Sequence, residues 1–210
     1  MSKQNYQIWL DNRLKEISQD NSKPKLLIHC CCAPCSSYVL EYLNEYFNIT
    51  LHFYNPNISP EAEYDYRAEE LKRMVAELGL QDKIKFIFEK YEPAPFFEIS
   101  KGLEDLPEGG ERCFKCYELR LSKSAEMART NNFDFFTTTL SISPHKNADK
   151  LNEIGGKLAK QHNVNYLYSD FKKRNGYKRS CELSTQYNLY RQDYCGCIYS
   201  KLEAEKRNTK

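Results

Sequence analysis

Eight of the nine cysteines in this 210-residue chain fall into three groups: Cys30, Cys31, Cys32 and Cys35; Cys113 and Cys116; and Cys195 and Cys197. Cys181 stands apart. A Cys-x-x-Cys turn puts two sulfurs within reach of one metal, and two such turns from distant chain positions are a usual way to hold zinc or an iron–sulfur cluster. The adjacent pair Cys31-Cys32 should diverge on extended backbone, which favours a polynuclear centre over a single zinc. Cys113 and Cys116 open a helix with Arg112 and Lys115 beside them, so helix terminus and charge both favour thiolate. Cys195-Gly196-Cys197 is too tight for a routine structural bridge: it reads as an easily reduced dithiol or as a bidentate metal clamp. Cys30 and Cys181, taken singly, read as small buried hydrophobes. A rival reading starts from Cys32-Ala33-Pro34-Cys35, a thioredoxin-like turn, but leaves Cys31, Cys113, Cys116, Cys195 and Cys197 without a role.

Around these thiols the chain is that of an ordinary folded domain. Hydrophobic residues make up 40% and charged residues 29%, which excludes a disordered chain. No apolar run reaches the length of a membrane span. The first twenty residues lack the apolar core of a secretory signal, so the expected location is cytoplasmic, where thiols stay reduced and serve metal or redox chemistry. Net charge is only +2, yet residues 171–210 carry ten Lys or Arg against four acids. That asymmetry suits an anionic partner, nucleic acid above all; a solvated basic tail is the plain alternative.

Hydrophobic spacing places the elements that must hold the thiols. Tyr6, Trp9, Leu10, Leu14 and Ile17 mark a helix. Strands are expected at 26–28, 50–54, 83–88, 133–139 and 165–168. Helices are expected from Ser36, over 61–78, 113–130 and 149–162 (despite Gly155-Gly156), and near 181–190, with a loop and short helix in 91–111. Strands alternating with helices predict a doubly wound, mostly parallel α/β sheet of about five strands with helices on both faces. Three units are expected: an N-terminal helix (1–22), one α/β catalytic domain (23–200) and a basic C-terminal tail (201–210). Ligands of such sheets bind beyond the carboxyl ends of the strands. The first cysteine group, Asn55-Pro56-Asn57 and Thr137-Thr138-Thr139 should therefore share one rim.

His29-Cys30-Cys31-Cys32-Ala33-Pro34-Cys35 resembles the opening motif of the cobalamin-independent epoxyqueuosine reductases (QueH). In the same order follow Tyr54-Asn55-Pro56-Asn57-Ile58 with Glu63-Tyr64 and Arg67; Glu111-Arg112-Cys113 to Cys116-Tyr117 with Arg120-Leu121; Thr138-Thr139-Leu140 with Ser143-Pro144; Gly176-Tyr177 with Arg179-Ser180; and Leu189-Tyr190-Arg191-Gln192 before Tyr194-Cys195-Gly196-Cys197. The likeness covers about residues 25–200. It implies a sheet of the nucleotide alpha-hydrolase (HUP-like) kind and removal of the epoxide oxygen of epoxyqueuosine at the wobble position of tRNA. It implies a 4Fe-4S cluster on Cys31, Cys32, Cys113 and Cys116 with an adjacent mononuclear iron. Cys35, where relatives carry Cys or Asp, is the candidate for the second site. Cys195 and Cys197 correspond to a redox-active pair or to ligands of the neighbouring metal. Cys30 has no counterpart in the motif.

Epoxide deoxygenation needs two electrons, so an external electron donor is expected, and an acid to protonate the departing oxygen. Tyr194, His29 and His145 are candidates for that acid. Arg174, Lys178, Arg179 and Arg191 are candidates for phosphate contacts, with Tyr177, Tyr187, Tyr190 and Tyr194 interleaved as stacking platforms or as core. Two other classes stay in view. A non-enzymatic zinc-binding RNA module would be colourless. An adenylating tRNA-modifying enzyme would carry a phosphate loop after the first strand, where this chain has cysteines.

Overall fold

The computed structural model describes residues 4–20 and 22–208. Five strands, β1 (Lys25–His29), β2 (Asn48–Phe53), β3 (Lys85–Phe88), β4 (Phe135–Thr138) and β5 (Asn165–Tyr166), form one parallel sheet in the order β3-β2-β1-β4-β5. Among the described residues eight α-helices surround it: α1 (Tyr6–Gln19), α2 (Ala33–Leu43), α3 (Glu61–Glu77), α4 (Ala94–Ser100), α5 (Glu111–Thr130), α6 (Ala148–His162), α7 (Gly176–Gln186) and α8 (Ile198–Asn208). The expected α/β class is therefore what the chain adopts.

Side-chain alternation along β1 explains the layers. Leu26 and Ile28 join a core with residues of α1, α2 and α3, whereas Leu27 joins a second core with α5 and α6. Phe135 and Phe136 of β4 divide the same way. A strand buried on both faces reads as a continuous apolar run, which is why Leu26-Leu27-Ile28 shows no polar alternation.

Several boundaries differ from the spacing-based expectation. α2 starts at Ala33 because Pro34 sits in its first turn, where the missing N–H costs nothing. β4 stops at Thr138, whose hydroxyl accepts from Leu140 N and opens a 3-10 turn, Thr139–Ile142. The helix expected near 181–190 runs from Gly176 to Gln186. An added Cβ at Gly176 would lie 2.0 Å from the Phe171 carbonyl oxygen, so the close approach that starts α7 requires glycine. Ile198–Asn208 form α8, with Ala204 buried and Glu203 paired to Arg112; residues 209–210 and the first three residues lie outside the described residues.

Gly155 sits in α6 for a packing reason. A Cβ there would fall 2.3 Å from the Tyr166 ring on β5. Gly155→Ala is expected to cost about 1–3 kcal/mol through overpacking, more than its helix propensity returns, and to show as a lowered melting temperature.

Candidate metal centre and cleft

The sheet's strand order reverses direction between β1 and β4: the chain moves outward through β2 and β3, then returns to the other side of β1. The carboxyl ends of β1 and β4 flank this switch point, where α/β sheets bind ligands. β1 delivers the first cysteine group there directly.

Cys31, Cys32 and Cys35 converge: their sulfurs all lie within 4.8 Å of one another, and those of Cys31 and Cys32 are 3.8 Å apart. This corrects the expectation that the adjacent pair diverges. Cys31 lies at a bend between β1 and α2, and Cys32 forms the N-cap of α2, so the backbone turns between the two side chains. The Sγ–Sγ hydrogen bonds from Cys32 and Cys35 pull the Cys31 thiol well below its ordinary value. They push Cys35 up, and they push Cys32 up to about 12. The trio holds one negative charge more readily than two.

The other two groups meet next door. Cys113 and Cys116 in the first turns of α5, with Cys195 and Cys197, line a narrow gap that also takes in Asn57, Phe96, Tyr117, Arg120 and Lys146. Cys195 and Lys146 belong both to this gap and to an open cleft of about 170 Å³ walled by Cys31, Cys32 and Cys35. Thus seven cysteines from three remote segments line two adjoining cavities. Cys30 does not join them. It is fully buried in the β1/β2 core, its Sγ 3.5 Å from the His52 carbonyl oxygen, and burial pushes its thiol up strongly. Cys181, half-buried on α7, is absent from both cavities.

The charges facing the thiols are not the neighbours in sequence. Lys115 is exposed and pairs with Glu111, and Arg112 turns Nη1 to the carbonyl oxygens of Leu103, Glu104 and Leu106. Burial instead dominates at Cys113 and Cys116, raising the first and pushing the second up to about 12. Partial relief comes from Lys146 at Cys113 and from Arg120 at Cys116. Arg67, Arg120 and Lys146 are all buried beside sulfur. The spacing Cys113, Cys116, Arg120 on one face of α5 was the signal that could have found Arg120.

Arg67 ties the last cysteine pair into place. Its Nε donates to Glu63 at 2.7 Å and its Nη1 to the Cys195 carbonyl oxygen at 3.1 Å, while the Tyr194 ring lies 5.5 Å from its guanidinium carbon. Gly196, at φ +115°, packs against the same guanidinium.

The remaining candidates separate clearly. Tyr194 and His145 line the cleft. His29 does not: it is fully buried, bonded through Nδ1 to Thr138 Oγ1 at 2.9 Å, and burial lowers its pKa. Arg191 and Tyr177 line the cleft together, the guanidinium 5.9 Å from the ring centroid. Arg179 is bound to Glu41 and Glu182, and Arg174 to Asp11. Lys178 is exposed on α7. Tyr190 turns its hydroxyl to Glu63 at 3.3 Å and its ring to Tyr66, and Tyr187 packs at the edge of the core. No helix among the described residues is long and apolar enough to cross a membrane.

Comparison with known proteins agrees with this geometry. The family "Epoxyqueuosine reductase QueH" matches residues 26–203. A protein of Streptococcus pyogenes serotype M1 bearing that name is 42% identical over 93% of this chain and 78% of its own length. One of Staphylococcus epidermidis is 42% identical over 95% of this chain and 85% of its own. One of Thermotoga maritima is 32% identical over 87% and 93%. With the family match spanning the strands, the cleft and all three cysteine groups, the chain belongs to the epoxyqueuosine reductase QueH family.

Proposed function

We propose that this protein reduces epoxyqueuosine to queuosine at the wobble position of tRNA in the cytoplasm, within a catalytic unit of residues 23–200. The carrying observation is the meeting of three remote cysteine groups beside an open cleft at the sheet's switch point. In the reaction the epoxide takes up two electrons and two protons, releases water and becomes an alkene.

The donor set fits an iron–sulfur centre. Clustered thiolates are soft ligands of that kind, and buried cations beside them would otherwise face no anion on the sulfur side. We assign a 4Fe-4S cluster to Cys31, Cys32, Cys113 and Cys116. Cys35, Cys195 and Cys197 are left for an adjacent mononuclear iron or, in the last two, a redox-active disulfide pair. Bound there, such a centre supplies electrons one at a time and an open Lewis-acid position; an external donor replenishes it. The chain's own residues do the rest. Tyr194, its hydroxyl held protonated chiefly by burial, and His145 are the groups in the cleft wall able to give a proton to the departing oxygen. Cys195 lies where the cleft meets the inner gap.

The modified base must leave its stack to enter the cleft. Arg191 over Tyr177 forms a cationic, aromatic lip for the flanking nucleotide. Among Arg174, Lys178, Arg179 and Arg191, the last is the one at that lip. Arg191→Ala is expected to weaken tRNA binding and reduce the slope of log affinity against log salt by about one. Arg179→Ala, whose charge is already matched by Glu41, should change the slope little. Filter binding across a salt series reads both.

The proposal is tested by anaerobic incubation with epoxyqueuosine-containing tRNA and a chemical reductant, followed by mass analysis of the nucleosides and by iron, sulfide and zinc determination. A brown protein that converts epoxyqueuosine to queuosine is expected. A colourless protein with stoichiometric zinc and no conversion overturns the reading.

A further inference from the structure

Three cations are buried against the thiols, and two have a carboxylate of their own. Arg67 pairs with Glu63 and Lys146 with Glu108. Arg120 has none among the described residues. Its Nε donates to His29 Nε2 at 3.3 Å, its Nη1 to Cys116 Sγ at 3.7 Å and its Nη2 to Asn55 Oδ1 at 3.0 Å. Only about 1% of its surface is exposed. A guanidinium stays charged, and a buried charge without an opposite one is strongly unfavourable. Arg120 also faces Cys31 and Cys195 electrostatically, so sulfur is the source of negative charge within its reach.

The guanidinium is held from behind. His29 Nε2 sits between Arg120 Nε at 3.3 Å and the Tyr54 carbonyl oxygen at 3.2 Å, and its Nδ1 lies 2.9 Å from Thr138 Oγ1, so the ring is pinned on both sides. Thr138 in turn accepts from Leu140 N at the end of β4. Asn55 spends its amide N–H on the Cys30 carbonyl oxygen at 2.9 Å, which fixes Oδ1 toward Arg120. Three segments at the switch point thus orient one cation at the sulfurs.

We propose that Arg120, locked by His29 and Asn55, is the residue that sets the reduction potential of the iron centre. The inference rests on the preceding assignment of that centre to these thiols. A fixed positive charge stabilises the reduced form, which carries one negative charge more, and does so strongly where water is absent. Arg120 acts through the ligands and is a positioning residue, not a catalytic one.

The test is an anaerobic redox titration of the reconstituted holoenzyme, followed by electron paramagnetic resonance, with iron content and melting temperature measured alongside. Arg120→Gln is expected to shift the midpoint to more negative values, and Arg120→Lys to restore most of it. Asn55→Asp leaves the guanidinium in place but sets a carboxylate against Nη2, so it should shift the midpoint the same way; it decides the matter if Arg120→Gln does not fold. Iron-loaded Arg120→Gln and Asn55→Asp with the wild-type midpoint overturn this inference alone. A wild-type protein that binds no iron overturns it together with the assignment beneath it.

Discussion

The double substitution Cys195→Ser, Cys197→Ser is expected to abolish turnover of epoxyqueuosine-containing tRNA while leaving the fold intact. The fold should survive because Cys197 accepts a hydrogen bond from Ser200 N at 3.4 Å at the start of α8, a contact a serine hydroxyl can replace. The chemistry should not, since a hydroxyl is neither a soft ligand nor able to form a disulfide. Iron content distinguishes the two roles: turnover lost with iron retained marks a redox pair, and turnover lost with iron diminished marks ligands. Undiminished multiple turnover would refute both. Cys30→Ala is the control, with normal iron expected, because that thiol faces the core and the His52 carbonyl.

Gly196→Ala should cost about 10²-fold in turnover, the order expected when reacting groups are misplaced by about 1 Å. At φ +115° a side chain is strained whatever the space. The added Cβ would also lie 2.9 Å from Arg67 Nη1. Arg67 cannot easily yield, being tied to Glu63 and to the Cys195 carbonyl. The segment 194–197 must move instead, and both sulfurs with it. The loop lies outside the sheet, so melting should change far less than rate; equal losses in both would show that the loop supports the fold, not the chemistry.

Much of the architecture could be read from residue patterns, because it is driven by burial. Leu26-Leu27-Ile28 could only be a strand covered on both faces, and Cys31 and Cys32 followed it at the rim where ligands bind. What could not be read depended on contacts between distant residues. Gly155 and Gly156 looked like weak points in α6 until Tyr166 and Tyr168 were found against them. Arg112 and Lys115 looked like the charges beside Cys113, yet the facing cations were Arg120 and Lys146, brought in by helical phase and by the loop before α6. Arg174 and Arg179 make ion pairs with Asp11 and Glu41, from α1 and α2, which their places in the chain did not announce. Proximity along the chain was a poor guide wherever a side chain had a long reach.

The sulfur groups come from β1's end and from the approach to α8, the first strand and the last helix. During synthesis the amino-terminal trio therefore emerges long before Cys195 and Cys197 exist to complete the surroundings. A chain clipped short of residue 195 would lack the one cysteine that lines both cavities and the partner that lines the inner one. A centre held on thiols of all three groups could be completed only once the last of them has been made.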